Sequence, residues 1–484
     1  MASSAENQLV TNRYNRQELI DGWKQDKLRK ASIAIVGSGT LADFISSSLV
    51  SLGFGNVEIY DNARVQDNSD GEFLLSLSGA KKGDSKVEAL EGILSKINPL
   101  VRVRGVHTRV DSVPLVELLG QPEVIVEATN DIKSKTTVIE YTRKRKIPSV
   151  SASAGLNGGK FYIEVSKEKQ EDISFERYPG EPQGVVPSEV LGGIITDEVR
   201  KIVMPLNVDD IPVRNFVYSS TSPGRFVAEG SRREQGDLSG KYALIIGAGA
   251  LGNFTGIGLA LVGVGQIDIL DFDTVETTNL NRQLLFYDSV GNEKVKALTA
   301  KLKKINPKIK VRGLLGKLDE SYKEYFKLKE NRPDLILDCV DNFGTRAIAN
   351  YFAVRHGIPL VSGGTNPSSG QVVAYQPGQS ACLDCKLNVD KALAKERTSH
   401  SCIYASQPSV ITTNQIIGGL MVAEARAVLD SQTYGDPIRK MLKYDSISPA
   451  RAGLVGGDAP CNCSRPSINQ WLKDVDKKTK WERK

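Results

Sequence analysis

The side chains that could do chemistry are concentrated in the second half of this chain. All six cysteines lie there: Cys339, Cys382, Cys385, Cys402, Cys461 and Cys463. Cys382-Leu-Asp-Cys385 and Cys461-Asn-Cys463 form two tight pairs. In a reducing compartment, thiolates so spaced point to a tetrahedral zinc ion before a disulfide. Cys402 stands apart in the polar stretch RTSHSCIYASQPS, ahead of a helical pattern. A thiol there can attack an activated acyl group and carry it as a thioester. His400 is a weaker candidate for a base beside it, and Cys339, inside an apolar strand pattern, reads as core.

A second group surrounds a glycine loop. Gly247-Ala-Gly249-Ala-Leu-Gly252 follows an apolar strand pattern and opens a helix, the context in which such a loop lets backbone approach phosphate. Asp271 ends the next strand pattern, where an acidic residue takes ribose hydroxyls. To this point NAD and ATP fit equally. The segment DFDTVETTNLNRQLLF then adds Asp273, Asn279, Arg282 and Gln283, and Lys294 follows shortly after. That density of cationic and amide ligands suits a triphosphate, because Arg and Lys neutralise the charge that builds on leaving pyrophosphate. Asp341, ending the pattern LILDCVD, is a hard oxygen ligand suited to Mg²⁺.

The elements that must position these residues occur twice. ASIAIVGSGTLADF matches YALIIGAGALGNF, pairing Gly37 with Gly247, and VEIYD matches IDILD, pairing Asp61 with Asp271. GDSKVEAL matches GNEKVKAL, INPLVRVRG matches INPKIKVRG, PEVIVEATND matches PDLILDCVDN, and LGGIITDEVRK matches IGGLMVAEARA, all in one order. Each copy alternates β-branched apolar runs with helical stretches. This predicts two Rossmann-like, doubly wound α/β domains in tandem. Expected boundaries are 10–205 for the first domain, 206–239 for a linker, 240–435 for the second domain with a crossover loop near 386–410, and 436–484 for a tail completing the zinc site.

The first copy departs where the chemistry matters. Glu72 stands opposite Arg282, Asn130 opposite Asp341 and Ala42 opposite Gly252, while Asp43 puts a carboxylate at the helix start. Bound nucleotide would meet repulsion and lack a metal ligand, so only the second copy is expected to be active.

The motifs G-x-G-x-x-G, D-x-D-x-V, N-L-N-R-Q and D-x-x-D-N resemble those of the ubiquitin-activating (E1-like) and ThiF/MoeB superfamily, whose bacterial members activate sulfur-carrier proteins. The resemblance covers nearly the whole chain. It implies a fused pair of adenylation domains, with Asp271 on ribose, Asn279, Arg282, Gln283 and Lys294 on phosphates, and Asp341, helped by Asp273, on Mg²⁺. It further implies that Arg16, in RYNRQ, reaches from the first domain into the second domain's ATP site. The expected reaction is adenylation of the C-terminal carboxylate of a ubiquitin-like protein ending in Gly-Gly, then transfer to Cys402. A conjugating enzyme would follow as a further partner. The alternative ends at the adenylate and feeds sulfur transfer or peptide modification. An NAD-dependent oxidoreductase and a non-enzymatic scaffold are the readings from other classes.

The totals of this 484-residue chain restrict the choice further. A net charge of +6 makes no case for nucleic acid, and no window approaches the roughly 18 apolar residues of a membrane span. The N-terminus lacks the basic-then-apolar layout of a signal peptide, so a cytoplasmic location is expected.

Overall fold

The computed structural model describes residues 13–66, 71–165, 182–226, 235–318, 332–389, 407–448 and 450–461. His400, Cys402 and Cys463 lie outside the described residues. The first repeat comprises β1 (Ser32–Val36), α1 (Thr40–Leu52), β2 (Asn56–Asp61), α2 (Lys86–Ile97), β3 (Arg102–His107), β4 (Val124–Glu127), β5 (Ser149–Ala154), β6 (Gly158–Glu164), α3 (Val185–Val203) and β7 (Asn215–Ser219). The second comprises β8 (Tyr242–Ile246), α4 (Ala250–Leu261), β9 (Gln266–Asp271), α5 (Lys294–Ile305), β10 (Lys310–Leu315), β11 (Leu335–Asp338), α6 (Phe343–His356), β12 (Leu360–Thr365), β13 (Ser369–Tyr375), α7 (Ile411–Leu429), β14 (Met441–Asp445) and β15 (Ala452–Val455).

The two sheets share one topology, β3-β2-β1-β4-β5-β6-β7 and β10-β9-β8-β11-β12-β13-β14-β15. Strands β1 to β5 pair in parallel, and β6 and β7 continue antiparallel. The central strands SIAIV and YALII are covered on both faces, which is why they read as near-continuous apolar runs rather than alternating ones. Strand order reverses between β1 and β4, and again between β8 and β11. In such sheets the crevice for a ligand opens at that reversal, beyond the carboxyl ends of the strands.

One apolar core runs through both halves, joining Ile33, Ile45 and Leu191 of the first to Ile245, Phe254 and Leu420 of the second. Its centre is the crossing of α3 and α7, each almost wholly buried. Glycine pairs set that contact. A Cβ on Gly193 would lie 2.7 Å from Ile416 Cγ1, and one on Gly419 would lie 2.8 Å from Val190 Cγ2. The halves therefore pack as a pseudo-symmetric pair.

The 206–239 stretch differs from the expected linker, since it supplies β7, the edge strand of the first sheet. Phe216 and Tyr218 alternate inward there, and Phe216 stacks on Phe161 at 5.7 Å between centroids. Linker composition around the strand concealed it. In the second sheet β14 takes the position of β7, so part of the 436–484 segment is sheet rather than tail. Among the described residues, no helix is long and apolar enough to cross a membrane.

Candidate active site

In the second repeat β8 runs into the glycine loop at Gly247, whose φ of +98° belongs to glycine's range. A Cβ at Gly252 would sit 2.0 Å from the Gly247 carbonyl oxygen, so this position must also be glycine. Gly249 is different: among the described residues, a Cβ there would meet nothing within 4 Å. The loop is tight where it packs and open where a ligand would approach. Gly249 caps α4 without a side-chain hydrogen bond, leaving the first helical amides free of any side-chain cap. Asp271 draws the loop onto β9, accepting from Ala248 N at 2.6 Å and Asp273 N at 2.8 Å.

Beyond β9, the N-L-N-R-Q segment brings Arg282 to Asp341 and to Arg16 of the first repeat. Arg282 donates to the Thr278 carbonyl at 2.8 Å and to Asn281 Oδ1 at 2.9 Å. Burial, then the neighbouring Arg16 charge, push its pKa down to about 10, while Asp341 and Glu276 oppose that shift. Arg282 remains cationic at neutral pH. Arg16 is held by its backbone, its carbonyl accepting from Ser409 N at 3.0 Å, and its Nη1 donates to the Gln407 carbonyl at 3.4 Å. Its buried Nε has no hydrogen-bond partner among the described residues. Two guanidinium groups forced together repel, so this arrangement favours an anion between them. Lys294, at the start of α5, pairs with Asp273 at 2.8 Å. Asp341 is exposed at the mouth, just beyond β11.

Two further residues expected on phosphate belong to the same segment. Asn279 is buried, and its Oδ1 accepts from Glu276 N at 2.9 Å, closing a short 3-10 turn. Gln283 is buried as well, with its Oε1 unsatisfied. Asn281 escaped sequence reasoning although it stands between chosen neighbours. It is wholly buried and donates to Gln17 Oε1 at 3.2 Å and to the Ser409 carbonyl at 3.4 Å while accepting from Arg282. It ties the first repeat's N-terminal helix to the site.

The first repeat keeps the frame and closes the contents. Asp61 accepts from Ser38 N at 2.8 Å and Ala63 N at 2.9 Å, as Asp271 does from its own neighbours. Here, however, the Gln183 side chain fills the loop. Its Oε1 accepts from Leu41 N at 2.9 Å, its Nε2 donates to the Ala128 carbonyl at 2.8 Å, and a Cβ at Gly39 would lie 2.7 Å from that Oε1. Gln183 precedes α3 by the same interval at which Ser409 precedes α7, so one position plugs the first loop and anchors Arg16 at the second. Glu72 and Lys86, the counterparts of Arg282 and Lys294, pair with each other at 2.6 Å. The expected repulsion from Asp43 is corrected: the side chain is fully buried and accepts from Leu74 N. Burial foremost, then Glu72, raises its pKa well above the usual carboxylate range. The closure is steric, with little role for Asp43 charge.

Sulfur atoms of Cys382, Cys385 and Cys461 lie within 4.8 Å of one another, and Cys461 Sγ accepts from Cys382 N at 3.1 Å. This grouping could hold a metal ion of the soft, tetrahedral kind. Cys382 is buried, Cys461 half-buried and Cys385 exposed. Cys339 is buried, with its thiol pushed up to about 12 by burial, which makes it inert core.

A tandem of doubly wound sheets, each with this glycine loop, defines the class. The model of the ThiF family matches residues 12–202 and again 224–464, and the chain belongs to that family. It is 35% identical to the molybdopterin-synthase adenylyltransferase of Escherichia coli (strain K12), over 44% of this chain and 81% of that one. It is 32% identical to the adenylyltransferase and sulfurtransferase MOCS3-1 of Zea mays, over 52% of this chain and 51% of that one. With the sulfur carrier protein ThiS adenylyltransferase of Bacillus subtilis (strain 168), identity is 40% over 32% and 46% of the two chains. The chain thus spans about half the length of several curated relatives it matches. A crystal structure of E. coli MccB with succinimide aligns at a TM-score of 0.40 and 24% identity, covering 47% of this chain and 67% of that one. That similarity is too low to add to the assignment.

Proposed function

We propose that the second repeat uses ATP to adenylate the C-terminal carboxylate of a small protein, with Arg16 lent by the first repeat. The observation that carries this is the Arg16–Arg282 pair beside an open glycine loop, set against a first loop filled by Gln183. The relatives' names, adenylyltransferases throughout, support the same reaction. Asp271 would take the ribose hydroxyls, the amides after Gly249 the phosphates, and Arg282, Lys294 and Arg16 the growing negative charge. A carboxylate oxygen attacks the α-phosphorus, the bridging bond to the β-phosphate breaks, and acyl-adenylate and pyrophosphate result. Asp341, with Asp273, would hold Mg²⁺, which supplies further neutralisation of the triphosphate. Zinc on Cys382, Cys385, Cys461 and Cys463 would tie the C-terminal segment to the second sheet.

The finer reading takes the substrate as a ubiquitin-like protein ending in Gly-Gly and adds a second step. The Cys402 thiolate attacks the acyl carbon, AMP departs, and a thioester forms. In support, Gln407 and Ser409 are pinned at Arg16, and the short span from Cys402 to Gln407 limits their separation to roughly 18 Å. The competing reading stops at the adenylate and passes it to sulfur transfer, which the names of the Zea mays and Bacillus subtilis relatives favour. ATP–pyrophosphate exchange driven by a panel of small proteins tests the first step. No exchange with any of them, together with no Mg-ATP binding by calorimetry, removes the proposal. An ATP-dependent adduct that thiol reductant releases, absent in Cys402→Ala while exchange persists, separates the two endings.

A further inference from the structure

The first repeat is closed to triphosphate but not to every ligand. A cavity of about 530 Å³ opens at its strand-order reversal, lined by Gly37, Asp61, Arg109, Val110, Thr129 and Ile132 among others. That volume lies within the roughly 300–1,000 Å³ that small-ligand sites occupy. Its polar end is Asp61, at the end of β2, held in the hydrogen-bond frame that Asp271 has in the second repeat. A carboxylate there reads sugar hydroxyls. Its apolar side is Val110 with Ile132, 45% exposed at the rim, and Phe343 occupies the matching helix start in the second repeat. A flat base can lie against such a surface. The end where phosphate would lie is the end that Gln183 blocks, with its amide oxygen on the helix amide of Leu41. Glu72 has also taken the Lys86 charge.

We infer that the first repeat binds a nucleoside carrying no 5′ phosphate, with Asp61 on the ribose and Gln183 excluding the phosphate. Affinity is lower than in an unplugged site, because Ser38 Oγ also donates to Asp61 Oδ2 at 2.8 Å and occupies an acceptor that Asp271 keeps open. The inference concerns binding at the other repeat and is measured without a protein substrate; only the blocking of the second repeat in its test rests on the ATP reading, and the first-repeat variants distinguish the two.

The test is equilibrium dialysis of radiolabelled adenosine against the full chain, with the second repeat saturated by a non-hydrolysable ATP analogue. The expected result is one residual adenosine site per chain, with AMP bound there at least about tenfold more weakly. Asn62→Trp, which fills the mouth from an exposed position, and Asp61→Asn, which keeps the shape but replaces an acceptor, should each weaken adenosine about tenfold or more. Gln183→Ala should bring AMP level with adenosine. Absence of a residual site overturns the inference, as does adenosine binding unchanged in both Asn62→Trp and Asp61→Asn. Wild type that binds AMP as well as adenosine overturns the role of Gln183. Thermal melting of each variant identifies any that fail to fold, leaving the other to decide.

Discussion

The two glycine loops start from nearly the same backbone and end in different states. Each begins with a positive-φ glycine, each is drawn in by a strand-end aspartate, and each opens a buried helix. Yet a Cβ at Gly249 would meet nothing among the described residues, while Gly39 faces the Gln183 amide. Arg282 is kept cationic beside Arg16, while its counterpart Glu72 is spent on Lys86. The difference teaches that a duplicated loop can keep its frame while a side chain from elsewhere in the chain fills it. Loop sequence alone does not distinguish a filled frame from an unfilled one.

Exchanging the contents breaks the comparison most severely. Arg282→Glu, which installs the first repeat's residue in the second, should lower ATP–pyrophosphate exchange by about 10³-fold or more without altering the melting temperature appreciably. Exchange within a few-fold of wild type would show that Arg282 does not meet the phosphates. Arg16→Ala comes next, with a loss of about 10²-fold in exchange and an unchanged fold. Activity held at wild-type level would remove the dependence of one repeat on the other.

Zinc is a smaller effect and touches only the second repeat. Reduced protein should contain about one zinc per chain, and chelation should lower its melting temperature by about 5 °C. Metal analysis that finds none would dismiss the thiolate site. The smallest effect is on the shared seam. Glu189 of α3 is fully buried, neither of its carboxyl oxygens has a hydrogen-bond partner among the described residues, and burial raises its pKa well above the ordinary value. The folded state then holds the proton more tightly than the unfolded chain. Its contribution is fully present below the unfolded carboxyl's pKa and is lost as pH rises toward the folded one. Glu189→Gln should remove that decline and stabilise the protein at pH 7 by about 1–2 kcal/mol. Denaturant curves at pH 5 and pH 7 with the same difference between wild type and variant would contradict it.

The repeat, the doubly wound sheets and the loop were legible because each rests on local signals: β-branched runs, a glycine spacing, an acidic strand end. Arg282 and Arg16 were singled out by a specific motif and by the resemblance, and the fold brings the one near the other. Gln183 was not, because it comes from a different part of the chain than the loop it fills, and no periodicity marks a side chain that folds into a distant turn. Asn279 illustrates a related point: Asn is suited both to closing a turn, as its Oδ1 does here, and to meeting phosphate, and sequence alone does not separate the two uses. The strand β7 was hidden by the polar residues around it.

The glycine pairs at the α3–α7 crossing have an evolutionary consequence. In a pair of identical subunits, any substitution appears in both sites at once, so neither can decay without the other. Covalent fusion around this crossing removes that constraint, because each half keeps a permanent neighbour whatever its own loop becomes. Mutations could then accumulate in one loop while selection held the other, and a residue such as Arg16 could be retained solely for the benefit of the opposite half.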